Sequence, residues 1–317
     1  MEKKKPLIIL TGPTAVGKTE LSIKLAKAVN GEMISADSMQ VYRYMDVGTA
    51  KIKQEEMEGI PHHLIDVLDP VEDFNVVTFQ VMAKKAMDEI YVKGKIPIVV
   101  GGTGFYIQAL LYDIDFEETT DSVESDYQQK LHTFFKENGA HLLHEQLKEI
   151  DPVSYDTIHE NNVKRVIRAL CFYHDTGYPI SVHNKEQRKK ESPYNFEYFV
   201  LNDDRAILYD KIEKRIDQMM EEGLIKEVQQ LLDYGCTPDM VSMQGLGYKE
   251  MIPYLKNECS LEDALYILKR DTRHFAKRQL TWFRREKEVT WVDKTQFADT
   301  DAILTYMITC LRAKQII

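Results

Sequence analysis

Leu7-Ile8-Ile9-Leu10-Thr11-Gly12-Pro13-Thr14-Ala15-Val16-Gly17-Lys18-Thr19 is the stretch from which the fold is read. A short apolar run leads into two glycines spaced for G-x-x-x-x-G-K-[ST], and a helical pattern follows over 18–29. Strand, glycine-rich loop and helix in that order are what a phosphate-binding loop requires. Backbone N–H groups of Gly12, Pro13, Thr14, Ala15, Val16 and Gly17 curl around an anion as far as each residue has one to give; Pro13 has none. The helix start adds partial positive charge. Lys18 neutralises outer phosphate oxygens, and the Thr19 hydroxyl is a ligand for Mg²⁺. Taken alone, the motif says that the chain binds a phosphorylated ligand.

Working outward, the first third alternates strand and helix patterns. Strands are expected at 7–10, 32–35, 63–67 and 96–100, and helices over 18–29 and 77–92. That alternation predicts a parallel sheet covered by helices, an α/β fold. Ligands of such folds bind beyond the C-terminal ends of the strands. Near 116 the character changes: Glu117, Glu118, Asp121, Glu124 and Asp126 form an acidic stretch, and helical patterns run on to about 183. A loop-like run covers 184–193, and Phe196-Glu197-Tyr198-Phe199-Val200-Leu201 reads as strand again. The organisation expected is a core of 1–113 and 194–317 with a helical insertion at 114–193. A helix over 209–234 stopping at Gly235, and another over 261–285, complete the pattern.

The 317 residues suit one large or two modest domains, and 44% hydrophobic content suits a packed protein. Net charge is −10, so a polyanion needs a local basic patch. Cys171, Cys236, Cys259 and Cys310 lie far apart with no C-x-x-C pair, and read as reduced thiols. The charged start, Met1-Glu2-Lys3-Lys4-Lys5-Pro6, carries no apolar signal core, and no run is long enough for a membrane span. The expectation is a cytoplasmic monomer that does not engage membranes.

Three further features carry chemistry. Asp37, in Ser35-Ala36-Asp37-Ser38-Met39-Gln40, follows the second strand and is either a proton acceptor or magnesium ligand beside the loop, or a helix cap. Gly101-Gly102-Thr103-Gly104 ends the fourth strand, either for close approach to a ligand or simply as a tight turn. Residues 269–285 are strongly basic, with Arg270, Arg273, Lys277 and Arg284 at helical spacing and Phe275, Trp282 and Phe283 interleaved. This stripe is a reader of a phosphate backbone, a pyrophosphate clamp, or a solvated face closed by internal ion pairs. A second cluster, Lys164, Arg165 and Arg168, lies in the insertion. Ile65-Asp66 is the nearest candidate for an aspartate that holds a metal after a central strand, and it is a weak one. The histidines His62, His63, His141, His144 and His159 have no spacing that favours metal.

Taken together the motifs resemble those of the bacterial tRNA dimethylallyltransferases. The matching segments are Gly12–Thr19 and Ser35–Tyr42, then Met45-Asp46-Val47-Gly48-Thr49-Ala50-Lys51, His62-His63-Leu64-Ile65-Asp66 and Gly101-Gly102-Thr103. They continue with Arg165-Val166-Ile167-Arg168-Ala169-Leu170, Gly245-Leu246-Gly247-Tyr248-Lys249-Glu250 and Ala276-Lys277-Arg278-Gln279-Leu280-Thr281-Trp282-Phe283-Arg284. Val16, Asn162 and Cys171 depart from the usual pattern. The resemblance implies a P-loop NTPase-like core and transfer of a dimethylallyl group from dimethylallyl diphosphate to the exocyclic amine of the adenosine 3′ of the anticodon. It implies that the phosphate loop holds the donor's pyrophosphate with Mg²⁺ on Thr19, and that Lys18, Thr19, Asp37 and Thr103 are catalytic, with Asp37 as general base. It also implies that Asp37, Ser38, Met39, Gln40 and Thr103 touch the flipped-out base and its neighbours. The anticodon stem-loop is then met by Lys164, Arg165, Arg168, Arg273, Lys277 and Arg278. A free-adenylate prenyltransferase, a nucleoside kinase and a non-catalytic RNA-binding module are the competing readings.

Overall fold

The computed structural model describes residues 4–116 and 126–317. Met1, Glu2 and Lys3, and Glu117, Glu118, Asp121 and Glu124 of the acidic stretch, lie outside the described residues.

Six strands form one sheet: β1 (Lys5–Thr11), β2 (Gly31–Ser35), β3 (His62–His63), β4 (Ile96–Gly101), β5 (Tyr194–Asn202) and β6 (Val289–Asp293). Their order is β3-β2-β4-β1-β5-β6, and every pairing is parallel. Leu7, Ile8, Ile9 and Leu10 are all buried, which is why β1 is a continuous apolar run without alternation. The helices of the same unit are α1 (Lys18–Val29), α2 (Val76–Val92) and α3 (Gly104–Leu111). The helices over 126–187 are α4 (Asp126–Glu145), α5 (Leu147–Ile150), α6 (Pro152–Thr157), α7 (Val163–Thr176) and α8 (Ile180–Gln187). After β5 come α9 (Arg205–Glu222), α10 (Leu224–Tyr234), α11 (Tyr248–Leu255), α12 (Leu261–Phe283) and α13 (Thr300–Ala313).

Two compact units emerge, Met1–Leu111 with Pro193–Ile317, and Tyr112–Ser192. In the first, α9 turns Leu208, Ile212, Ile216 and Met219 inward at helical spacing, and Asp204 caps it by accepting the N–H of Ala206 and Ile207. Ser260 caps α12 and Asp299 caps α13 in the same way. The second unit has its own core, where Val166, Ile167, Ala169, Leu170 and Phe172 of α7 join Leu131, Leu143 and Leu147. Truncating one of these buried leucines to Ala costs roughly 2–5 kcal/mol.

Three expectations change. The strand expected over 63–67 is only His62–His63, because Leu64 and Asp66 both take positive φ, 63° and 55°. The helix expected over 209–234 is two helices, because Gly223 (φ 103°) ends α9 and starts α10. The loop-like run 184–193 is helical as far as Gln187. β6 has no counterpart among the expected strands; its side chains are half-buried apart from Val292 and the exposed Trp291, so its apolar pattern is weak.

The register sets the chemistry in one row. Thr11, Gly101 and Val200 are neighbours across β4-β1-β5, and Ser35 pairs with Val100. The segments leaving β1, β2, β4, β5 and β6 therefore all emerge at one edge of the sheet.

Candidate active site

The phosphate loop leaves β1 at that edge. Gly12 has φ 150°, and a Cβ there would sit 2.6 Å from the Leu201 carbonyl oxygen, so no other residue fits. Ala15 and Gly17 also take positive φ, and the turn opens α1 with Gly17 as its N-cap. Lys18 Nζ donates to the carbonyl oxygens of Gly12 (3.0 Å) and Pro13 (2.9 Å), so its ammonium is folded back across the loop. The Thr19 side chain stands at the first turn of α1, open to solvent. The buried Gln279 of α12 accepts the Thr14 N–H (2.9 Å) and donates to the Gly102 carbonyl (3.0 Å). One side chain thus ties the loop after β1 to the loop after β4.

Gly101 lies so close to β2 that a Cβ would be 2.2 Å from the Ala36 carbonyl oxygen. Thr103 N–H donates to that same oxygen at 3.2 Å, which sets Thr103 beside Asp37. Asp37 Oδ1 accepts the N–H groups of Met39 (2.9 Å) and Gln40 (3.4 Å). No helix starts at this point, so in place of the expected helix cap Asp37 caps a turn: Oδ1 fixes it, and Oδ2 makes no hydrogen bond among the described residues. Gln40 donates to the Thr49 carbonyl at 3.3 Å and accepts from Ser35 Oγ at 3.3 Å. Ser38 and Met39 complete the turn, half-buried, with Met39 Sδ against Gly245.

Sequence reasoning missed Arg215 of α9. It donates to the Thr49 carbonyl (3.3 Å), its charge acts on Lys18, and the charge of Asp37 acts on it. Burial, then the Arg215 charge, pull Lys18 down from its ordinary 10.5 to about 8, with Asp37 opposing. Burial also lowers Arg215, again opposed by Asp37. Burial and the Asp37 charge push the Tyr106 hydroxyl up to about 12, so it stays protonated. Lys18 and Arg215 are two buried cations on which the charge of one carboxylate, Asp37, acts, so the surroundings of the loop are short of negative charge. The sequence offered one faint sign, an arginine next to Ile212 and Ile216 on the buried face of α9. Glu227 was also missed: it accepts the N–H of Asp46, Val47 and Gly48 and the Tyr248 hydroxyl, fixing the segment after β2.

The basic stripe divides. Arg273 pairs with Glu213 (2.7 Å), Lys269 with Asp217 (2.6 Å) and Arg270 with Asp271 (2.8 Å), so its first half is an ion-paired face. Its second half is open: His274, Lys277, Arg278, Thr281, Trp282 and Arg285 line a groove along α12. In the other unit, Lys164, Arg165 and Arg168 are exposed on α7 and make no side-chain ion pair among the described residues. Asp66, the weak metal candidate, is instead paired with the buried Lys51 at 2.5 Å. Among the described residues no three His, Cys, Asp or Glu side chains gather to hold a metal ion, and no helix is long and apolar enough to cross a membrane.

Residues 40–286 match the family described as IPP transferase. The chain is 59% identical over 313 residues to a tRNA dimethylallyltransferase of Lachnoclostridium phytofermentans, covering 99% of both chains. It belongs to the IPP transferase family. A second IPP transferase relative, a tRNA dimethylallyltransferase of Acetivibrio thermocellus, is 51% identical across 94% of this chain and 95% of its own. Among solved structures, the full-length tRNA isopentenylpyrophosphate transferase of Bacillus halodurans is 46% identical, with TM-score 0.73 over 98% of this chain and 97% of that one. A eukaryotic dimethylallyltransferase captured acting on tRNA is 32% identical, with TM-score 0.84 over 98% of this chain and 79% of that one. The P-loop-like parallel sheet is the fold of this IPP transferase.

Proposed function

We propose that this protein is a tRNA dimethylallyltransferase that takes the prenyl group from dimethylallyl diphosphate and places it on the exocyclic amine of the adenosine 3′ of the anticodon. The observation that carries the reading is Lys18 folded onto the Gly12 and Pro13 carbonyls of the phosphate loop, with the charges of Arg215 and Asp37 acting on it. A diphosphate brings the negative charge that these cations lack, and a carboxylate brings the base that an amine nucleophile needs.

In the reaction the amine nitrogen forms a bond to C1 of the prenyl group while the C1–O bond breaks, its electron pair leaving with pyrophosphate. Lys18, Arg215 and the loop N–H groups stabilise the charge that gathers on the leaving group. Asp37 Oδ2 accepts the amine proton, while Oδ1 stays fixed by Met39 and Gln40. Thr103 stands at the neighbouring strand end, within the same rim, to meet the base. A stacked adenine is out of reach, so the base is extruded to react. Thr19 Oγ1, exposed at the first turn of α1, is a hard oxygen of the kind Mg²⁺ takes alongside phosphates and water, and would hold the ion. Bound there, Mg²⁺ supplies further charge neutralisation of the diphosphate. Lys164, Arg165 and Arg168 of one unit, and Lys277 and Arg278 of the other, are free to meet tRNA phosphates.

Thermal shifts test the donor. Dimethylallyl diphosphate with Mg²⁺ should raise the melting temperature more than ATP does, and Lys18→Ala should remove most of the rise. A larger rise with ATP would replace this reading with a nucleoside kinase.

A further inference from the structure

A second lysine reaches the phosphate loop from the end of the outermost strand, β6. Lys294 follows β6, two strands away from β1, in a short 3-10 turn, Lys294–Gln296. The turn is held by Asp293, whose carboxylate accepts the N–H (3.1 Å) and hydroxyl (2.8 Å) of Thr295. From there Lys294 Nζ donates to the Val16 carbonyl at 3.1 Å. It lies so near Gly17 that a Cβ there would be 3.1 Å from the ammonium.

The Val16 carbonyl and the Gly17 N–H belong to one planar peptide unit and point in opposite directions. Whatever holds the carbonyl on one side therefore aims the N–H to the other. Gly17, at φ 94° and without a side chain, gives that unit little resistance to flipping. We propose that Lys294 is a positioning residue of the phosphate loop: it holds the Val16 carbonyl outward so that the Gly17 N–H faces the anion. The groups around the ammonium fit this task. Lys211 repels Lys294, while Asp203 and Glu20 attract it. Lys211 is itself paired with Asp203 at 2.6 Å. The inference rests on the loop holding a diphosphate.

Inorganic pyrophosphate with Mg²⁺ is the probe, read by calorimetry and by the amide resonance of Gly17 in isotope-labelled protein. In the parent protein, pyrophosphate should bind and move the Gly17 amide strongly downfield. In Lys294→Met the affinity should fall about tenfold, the effect of losing one charge-assisted hydrogen bond that orders a binding donor, and the Gly17 displacement should largely vanish. Lys294→Arg, which keeps a charged donor, should recover most of both. Lys294→Ala, which likewise has no donor, serves if the Met variant does not fold. Parent-like affinity and Gly17 displacement in Lys294→Met or Lys294→Ala overturns the inference. No pyrophosphate binding by the parent protein overturns the diphosphate reading, and the inference with it.

Discussion

Donor binding should fail in alkali because of Lys18. Its folded-state value lies at about 8, against an ordinary 10.5. The group's own effect on stability is a cost while it is charged, present below about pH 8 and fading as pH climbs toward 10.5. A difference of that size corresponds to roughly 3 kcal/mol of unrelieved cation burial, and a bound diphosphate relieves it by supplying the opposite charge. Binding therefore selects the ammonium. At pH 7 most free molecules already carry it. At pH 9 only about one in ten do, and at pH 10 about one in a hundred, so affinity should fall about tenfold and then about a hundredfold. The donor's own phosphate protons are gone above pH 7 and add no trend. Calorimetry in two buffers of different ionisation enthalpy gives a second reading: at pH 8 about half a proton should be taken up per donor bound. Equal affinity at pH 7 and 9.5, with no buffer-dependent heat at pH 8, would refute the account of the loop as a cation trap for diphosphate.

Arg215→Leu removes one of the charges that lowers Lys18, so the break in that pH profile should move upward while donor affinity at pH 7 falls; an unmoved break would separate Arg215 from the loop. Asp37→Asn keeps the turn but loses the base, and single-turnover rates should drop about 10²–10⁴-fold with tRNA affinity little changed; a parent-like rate would leave Asp37 only its role in the turn. Gln279→Leu leaves the Thr14 N–H and the Gly102 carbonyl without their partner, and urea unfolding should show a loss of roughly 1–3 kcal/mol; an unchanged midpoint would show that the two loops stand without this tie. Arg165→Gln and Arg168→Gln should weaken tRNA binding and flatten its salt dependence by about one counterion per contact. Arg273→Gln, at a position already paired with Glu213, should change the salt slope less; a larger change would reverse the division of the α12 stripe.

The phosphate loop, Asp37 and Thr103 were readable because each sits directly after an apolar strand, and the parallel sheet brings strand ends to one edge. The apolar runs of β1, β4 and β5 announce themselves since both faces of the sheet are covered. Arg215, Gln279 and Lys294 were not readable, because they reach the loop from α9, α12 and the end of β6 through tertiary packing. Arg215 and Lys294 carry no motif, Gln279 lies in the matching segment Ala276–Arg284 but with no role to be read from it, and their partners are mostly backbone carbonyls or N–H groups, which sequence does not distinguish. The charge stripe on α12 failed in part for a related reason: Glu213 and Asp217, which neutralise Arg273 and Lys269, lie on α9. Helical spacing finds a face but not what stands opposite it. The single helix expected over 209–234 shows a different limit, since the apolar spacing continues through Gly223 while the backbone does not.

The central claim is most directly tested by the product. Unmodified tRNA is incubated with the protein, dimethylallyl diphosphate and Mg²⁺, then digested and its nucleosides and anticodon fragments resolved by mass spectrometry. The account predicts one prenyl group on the exocyclic amine of the adenosine 3′ of the anticodon, lost with Lys18→Ala. Unchanged tRNA alongside a prenylated free adenine nucleotide would contradict it.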